Sequence, residues 1–343
     1  MNPFRRSFLT LLAAGGAIAA SAPTLALADR IRVLPDGGGD GRALLGTGRS
    51  GELGRELGGL TLGPAAVQGG LAVLWLHAKD TAGGSPLEIL TLDESRARGV
   101  LTVIERAQAS VPDLIAENRG KAYVLLLAGE ILIGGKQNRV LREDLLMPPH
   151  SGPRNIGVYC VEQGRWNEGR KDFDSRGSVV QPSVRSQVLR KAEQSSIWSG
   201  VATASRDLQA PSATGSYQAI YDKPEVKAHL EETTRRLDPA GAAVGAAVFV
   251  GPSLAGVDCF HSPGLFAREW PKLLRAYALD AYGTKPGAWD EAAARARTDG
   301  LLRAAARVEG GLRESVGAGR PCTSRDRRST LRSCERRPSR AIR

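Results

Sequence analysis

The chain has 343 residues, 47 Lys and Arg against 36 Asp and Glu, a formal net charge of +11, and four cysteines. That length supports a buried core, and so few cysteines exclude a disulfide scaffold. The positive charge does not indicate a basic groove: nine arginines against Asp326 and Glu335 place +7 in residues 320–343, Arg5 and Arg6 add +2, and about +2 remains for residues 29–319. No nucleic-acid partner is expected for the folded part.

Residues 1–28 read as a signal peptide of the twin-arginine type. Arg5-Arg6-Ser7-Phe8-Leu9 precedes an apolar run from Leu11 to Ala22, and Ala26-Leu27-Ala28 offers a small-x-small cleavage site. The same start also fits the general secretory route. The run falls short of the roughly 20 apolar residues that span a bilayer. The expectation is a bacterial protein exported to the periplasm or beyond, with no stable membrane span after cleavage. Residues 29–56 form a glycine-rich lead-in. Residues 57–316 are expected to make a single α+β domain, and residues 317–343 an Arg-rich disordered tail, either an interaction arm or an extension without a selected role.

From Leu57 to Val161 short apolar or alternating runs follow one another: 71–76, 87–92, 100–105, 114–117, 123–127, 131–133 and 156–161. Close turns between them predict a largely antiparallel, strand-rich N-terminal half. Asp93 is the expected N-cap of one helical turn over 93–98. Beyond Trp166 the period becomes helical around Val184, Val188, Leu189 and Ala192, and again over 224–237. A strand is expected over 243–250, with 257–260 as a candidate partner. Phe266, Trp270, Leu273, Leu274 and Tyr277 then form an apolar helical face over 263–282, which Pro271 is expected to break or kink. An alanine-rich helix over 288–308 follows, completing a helical C-terminal half.

The densest chemistry lies between Ala122 and Trp166. A strand buried on both faces ends at Gly129-Glu130, continues through Ile131-Leu132-Ile133 and breaks at Gly134-Gly135, after which Lys136, Gln137, Asn138 and Arg139 crowd together. A second strand ends in Cys160, Glu162, Arg165 and Trp166. Arginines and carboxylates at strand ends pair with one another or with a ligand's carboxylate or phosphate. Arg185, at a helix start after Pro182, is by default a solvated helix arginine, with a reach back to the motif carboxylates as the alternative.

Gly129-Glu130-x-Leu132-x-Gly134-Gly135-x-Gln137-Asn138-Arg139, followed by Cys160 through Trp166, resembles the ARG- and rhodanese-phosphatase-superfamily-associated protein domain family. The resemblance runs from about Leu87 to Ala281. It implies an association with ADP-ribosylglycohydrolases and phosphatase-like proteins, which is not a mechanism.

Other signatures fail. Glu130 and Gln137 stand where a phosphate-binding GxxxxGK[ST] loop needs Gly and Ser or Thr. There is no GxSxG or HExxH, and His77, His150, His229 and His261 are too scattered for a metal site. No cofactor and no protein partner can be named. Cys160 is either a small buried hydrophobe or a thiol nucleophile, with His150 as its base only if the intervening hairpin folds back; a proline-flanked loop histidine is by default exposed. Cys160–Cys259 and Cys322–Cys334 are conceivable disulfides in an exported protein.

Three readings follow. In the first, Gly134, Gly135, Gln137, Asn138, Arg139, Arg165, Trp166 and Arg185 bind a small anionic ligand, with a nucleotide or ADP-ribose-like character taken from the resemblance alone. The second is a hydrolase with Glu130 or Glu162 as acid or base, or Cys160 as nucleophile. The third is structural, with Glu130–Arg139 and Glu162–Arg165 as internal salt bridges.

Overall fold

The computed structural model describes residues 57–79, 88–106, 111–166, 171–284 and 287–306, together with the backbone of three short strands outside these ranges. The strands are β1 (Leu9–Leu11), β2 (Leu60–Gln68), β3 (Leu71–Ala78), β4 (Ile89–Leu90), β5 (Leu101–Ile104), β6 (Asp113–Asn118), β7 (Tyr123–Leu126), β8 (Glu130–Gly134), β9 (Arg139–Leu141), β10 (Leu145–Met147), β11 (Ser151–Cys160), β12 (Phe173–Val179), β13 (Gly245–Val250), β14 (Ser253–Cys259), β15 (Gly310–Leu312) and β16 (Cys322–Ser324). The helices are α1 (Leu92–Ala97), α2 (Pro182–Leu189), α3 (Gln194–Asp207), α4 (Gln218–Asp222), α5 (Pro224–Thr234), α6 (Pro263–Asp280) and α7 (Glu291–Ala306). This is an α+β protein with antiparallel sheets first and most helices later.

One sheet runs β1-β14-β13-β3-β2, a second β12-β8-β9-β11-β6-β5 and a third β10-β7-β4, with β4 and β7 parallel. Both faces of β3 are buried, which is why it reads as a continuous apolar run. Leu71, Val73 and Trp75 face a cluster containing Phe266, Trp270 and Tyr277 of α6, while Ala72, Leu74 and Leu76 pack with Leu301, Leu302 and Ala305 of α7. Trp75 meets Trp270 edge-on at 5.2 Å between ring centroids. The strands carrying the motifs are divided in the same way. Leu125, Leu127, Ile131, Val140 and Tyr159 join the α6 side, and Val124, Leu126, Leu132, Leu141 and Val158 fill a third cluster between the second and third sheets.

Two local expectations are corrected. The N-cap of α1 is Thr91, not Asp93: Thr91 Oγ1 accepts from Glu94 N–H at 3.1 Å, and Glu94 Oε2 accepts from Thr91 N–H at 2.9 Å. This capping box frees the Asp93 carboxylate for other partners. Pro271 does not divide α6, which is one helix of 18 residues. Its ring lies on the exposed side, where water can serve the carbonyl that proline leaves without a donor.

β13 and β14 pair antiparallel, with Val257 opposite Ala247. Cys160 and Cys259 are buried free thiols, so the conceivable bridge between them is not formed. β1 lies along β14 within the signal region, and β16 pairs with β15 at the start of the tail. Otherwise the signal, the lead-in, most of the tail and the pairing of Cys322 with Cys334 lie outside the described residues. No helix of the described residues is long and apolar enough to cross a membrane.

Trp75 is only 1% exposed and touches Trp270 and Phe266. Trp75→Ala is therefore expected to cost about 3–5 kcal/mol, read as a fall in the urea midpoint at unchanged m-value.

Candidate functional site

The second motif closes on the first. Glu162 Oε2 accepts from Asn138 N–H at 3.0 Å and from Arg165 Nε at 2.7 Å, and Oε1 accepts from Thr214 Oγ1 at 2.9 Å. Arg165 also donates to the carbonyls of Gly135 (3.0 Å) and Gly134 (3.1 Å) and to Asn138 Oδ1 (3.0 Å). Asn138 Oδ1 accepts from Gly134 N–H, and Gln137 Nε2 donates to the carbonyls of Glu162 and Gln163. Gly134 and Gly135 have φ of 132° and 49°. A Cβ on Gly135 would enter the Phe173 ring, so glycine is required there. Of the two expected salt bridges, Glu162–Arg165 is present.

Glu130 pairs differently from the expectation: its partner is Lys272, not Arg139. Oε2 accepts from Leu127 N–H at 2.6 Å, and Oε1 accepts from Lys272 Nζ, which also meets Glu269 at 2.7 Å and Asp93 at 3.1 Å. Glu130, Glu269 and Lys272 are buried, and only Asp93 opens to solvent. Three carboxylates around one ammonium away from water cannot all ionise cheaply. Burial pushes Glu130 up from 4.5 to about 8, opposed by Lys272 and reinforced by Glu269 and Asp93. Burial likewise raises Glu269. Burial acts to raise Asp93 too, but Lys272 and the Ser175 hydroxyl hold it below its usual range.

Arg185 reaches the first motif through a carbonyl, not through Glu130 or Glu162. Its Nε donates to Ala128 O at 2.8 Å and its Nη1 to Asp258 Oδ1 at 3.0 Å, while Tyr277 Oη donates to Asp258 Oδ2 at 2.7 Å. Gly129, at φ 92°, makes room: a Cβ there would lie 2.9 Å from Arg185 Cγ. Arg139, fully buried, donates Nη1 to Gln137 Oε1 at 3.1 Å and sits 3.7 Å from Glu105 Oε1. Cys160 lies directly across the strand pair from Arg139 and is closed off from solvent. Trp166 is 49% exposed, with the Lys136 ammonium 4.7 Å from its ring centroid.

His150 is exposed at the turn before β11, and Cys160 ends that strand, so about 30 Å of extended backbone separates them. The hairpin does not fold back, so His150 is an exposed loop histidine and does not serve the Cys160 thiol.

The predicted residues thus divide. Gly134, Gly135, Gln137, Asn138, Glu162 and Arg165 form one knot, to which Arg139, with Cys160 opposite it, is joined through Gln137, while Glu130 and Arg185 occupy two other buried places and Trp166 the surface. The sequence reading missed Lys272, Glu269, Asp258, Tyr277 and Glu105. Glu269 and Lys272 carried a readable signal, since both interrupt the apolar face of α6 at a spacing of three.

Beside the knot lies a cavity of about 490 Å³ lined by Gln163, Trp198, Val201, Ser205, Arg206 and the turn from Pro211 to Gly215. Trp198 Nε1 is buried without an acceptor among the described residues. The turn is tied to the motif through Thr214: its hydroxyl donates to Glu162 and its carbonyl accepts from Gly164 N–H at 2.8 Å.

Two outcomes are expected. Arg165→Met leaves Glu162, 7% exposed, without its cation, and should cost about 3 kcal/mol in urea denaturation. Glu130 holds a proton in the folded state that it loses on unfolding anywhere between its ordinary value of 4.5 and about 8. Its contribution is therefore complete at pH below 4.5 and is lost as pH rises toward 8. Glu130→Gln should reduce the proton uptake on folding by about one in this window, read from the pH slope of stability.

No curated protein and no solved structure matches the chain. The match to a family model is long, covering residues 59–336, and so extends beyond both motifs in each direction. The chain belongs to the ARG- and rhodanese-phosphatase-superfamily-associated protein domain family.

Proposed function

We propose that the protein binds a small, ring-bearing anionic molecule in the cavity beside Trp198, and that the two motifs brace this cavity instead of touching the ligand. The observation that carries the reading is the Glu162 carboxylate, which ties the Gly134–Asn138 turn to the Thr214 turn that walls the cavity. The volume falls within the range of about 300–1,000 Å³ typical of small-molecule sites. Trp198 supplies a ring face and an indole donor still lacking an acceptor, and the exposed Arg206, whose Nε lies 3.4 Å from Asp207 Oδ1 in a solvent-exposed pair, supplies positive charge. Arg139 and Arg165 are occupied within the protein, so the cation for the ligand has to come from elsewhere. A nucleotide or ADP-ribose-like ligand is the first class to test, given the family's association.

The hydrolytic alternative draws on Glu130, whose raised pKa beside Lys272 suits a general acid. Its enclosure favours a structural role unless Asp93 admits substrate.

The test is a thermal-shift titration of the full chain with ADP-ribose, NAD, nucleotides and sugar phosphates. A ligand at about 100 times its dissociation constant should stabilise by roughly 2.7 kcal/mol. Trp198→Phe and Arg206→Ala should abolish the shift without lowering the free protein's melting temperature. A shift unaffected by both variants but lost in Glu130→Gln, with turnover of the same compound, would replace this reading with the hydrolytic one.

A further inference from the structure

The opposite flank of α3 borders a larger groove, of about 870 Å³. Positions 198, 201, 202, 205 and 206 face the Trp198 cavity, whereas 195, 196, 199, 200, 203, 204 and 207 face this one, the division expected of a helix standing between two spaces. Its second wall is α2 and the residues flanking it, and its floor is the C-terminal end of α6.

The lining is unusual in kind. Five hydroxyl-bearing residues of α2 and α3 line it, Ser183, Ser195, Ser196, Ser199 and Thr203, of which Ser183 is bonded to Asp280. Serine and threonine are middling helix formers, and Gly200 costs α3 about 1 kcal/mol relative to alanine. The glycine has a reason: a Cβ would lie 3.0 Å from Gln187 Nε2, so Gly200 leaves room for that amide on the facing wall. Gln187 Oε1 is buried with no donor among the described residues. At the floor, Asp280 is held rigidly, accepting from Ser183 N–H at 2.9 Å, Ser183 Oγ at 2.8 Å and Gln181 Nε2 at 2.5 Å. Gln181 is itself fixed by Tyr217, whose hydroxyl donates to Gln181 Oε1 at 3.0 Å.

We infer that this groove binds a neutral polyhydroxylated molecule, a saccharide or related polyol. Hydroxyls both donate and accept, so a wall of serine and threonine hydroxyls with amide and carboxylate acceptors matches a ligand whose own groups do the same. Charge argues against an anion. Of the charged groups that line it, Arg190 stands against Asp280 and an Asp207 paired with Arg206 at 3.4 Å, so nothing concentrates positive potential. The volume lies toward the upper end of small-molecule sites, about 300–1,000 Å³, which favours more than one ring. The inference is independent of the Trp198 cavity.

Saturation-transfer NMR on the full chain tests it, with glucose, galactose, mannose, trehalose, maltose and cellobiose as probes at millimolar concentration and inorganic phosphate as competitor. At least one saccharide should give transfer that phosphate does not displace. Ser199→Trp, at an exposed position, should plug the groove and weaken that binding at least about tenfold, and Gln187→Leu should weaken it about fivefold. Trp198→Phe should leave it unchanged. No transfer from any of the six probes overturns the inference. So does transfer that survives both groove variants, that is lost in Trp198→Phe, or that phosphate displaces. Should Ser199→Trp fail to fold, Gln187→Leu decides.

Discussion

Charge removed from water constrains this structure more than any other feature. Lys272, Glu130 and Glu269 share one enclosed space, and Arg185 and Asp258 another. Ions brought out of water carry a desolvation cost of several kcal/mol each, offset only when geometry and hydrogen bonding are complete. Here the pairs connect layers: Lys272 joins α6 to β8, and Arg185 joins α2 to β14 while also holding the carbonyl of Ala128. Both meet the chain at Ala128–Glu130, where the buried strand of the first motif turns. Gly129 is the local condition for the second, because a side chain there would collide with Arg185.

The same logic gives the motif a different meaning from the one its composition suggests. A cluster of Arg, Glu, Gln and Asn at strand ends looks like a ligand site, yet Glu130, Gln137, Asn138, Glu162 and Arg165 bond within the protein. Arg139 is closed off from solvent with Nη1 on Gln137, although its Nε and Nη2 have no hydrogen-bond partner among the described residues. Arg165 serves two glycine carbonyls, an amide and a carboxylate, which leaves its planar fork little to offer a ligand. The motif's chemistry is directed inward, and its outward product is a positioned turn, Ser212 to Ser216, beside Trp198. α3 then separates two unlike spaces, one with an indole and an arginine, the other with hydroxyls.

Much of the fold was legible in the sequence. The core strands β3, β7, β8 and β11 announced themselves as apolar runs, and Phe266, Trp270, Leu273, Leu274 and Tyr277 gave the buried face of α6. Of the strands the reading missed, β2 and β12 are at edges, whereas the short β9 lies inside the second sheet between β8 and β11. β2 contains Gly63 and Pro64 at a register shift between Leu62 and Ala65, and β12 contains Asp174, Arg176 and Gly177, features that a strand tolerates only where one side is unpaired. The site was less legible, because its partners lie far apart in the chain. Glu130 meets Lys272 across 142 positions and Arg185 meets Asp258 across 73, distances over which no periodicity carries information. The structural reading of charges at strand ends named Glu162–Arg165, which is present, and Glu130–Arg139, in whose place Glu130 meets Lys272.

The central claim is that Glu162 joins the Gly134–Asn138 turn to the Ser212–Ser216 turn and so fixes the wall that the second turn gives the cavity beside α3. Amide hydrogen exchange of the full chain and of Glu162→Ala tests this most directly. The account predicts that protection falls in both turns together while β3, β13 and α6 keep theirs. Loss confined to the neighbours of residue 162, with the Ser212–Ser216 turn protected as before, would contradict it.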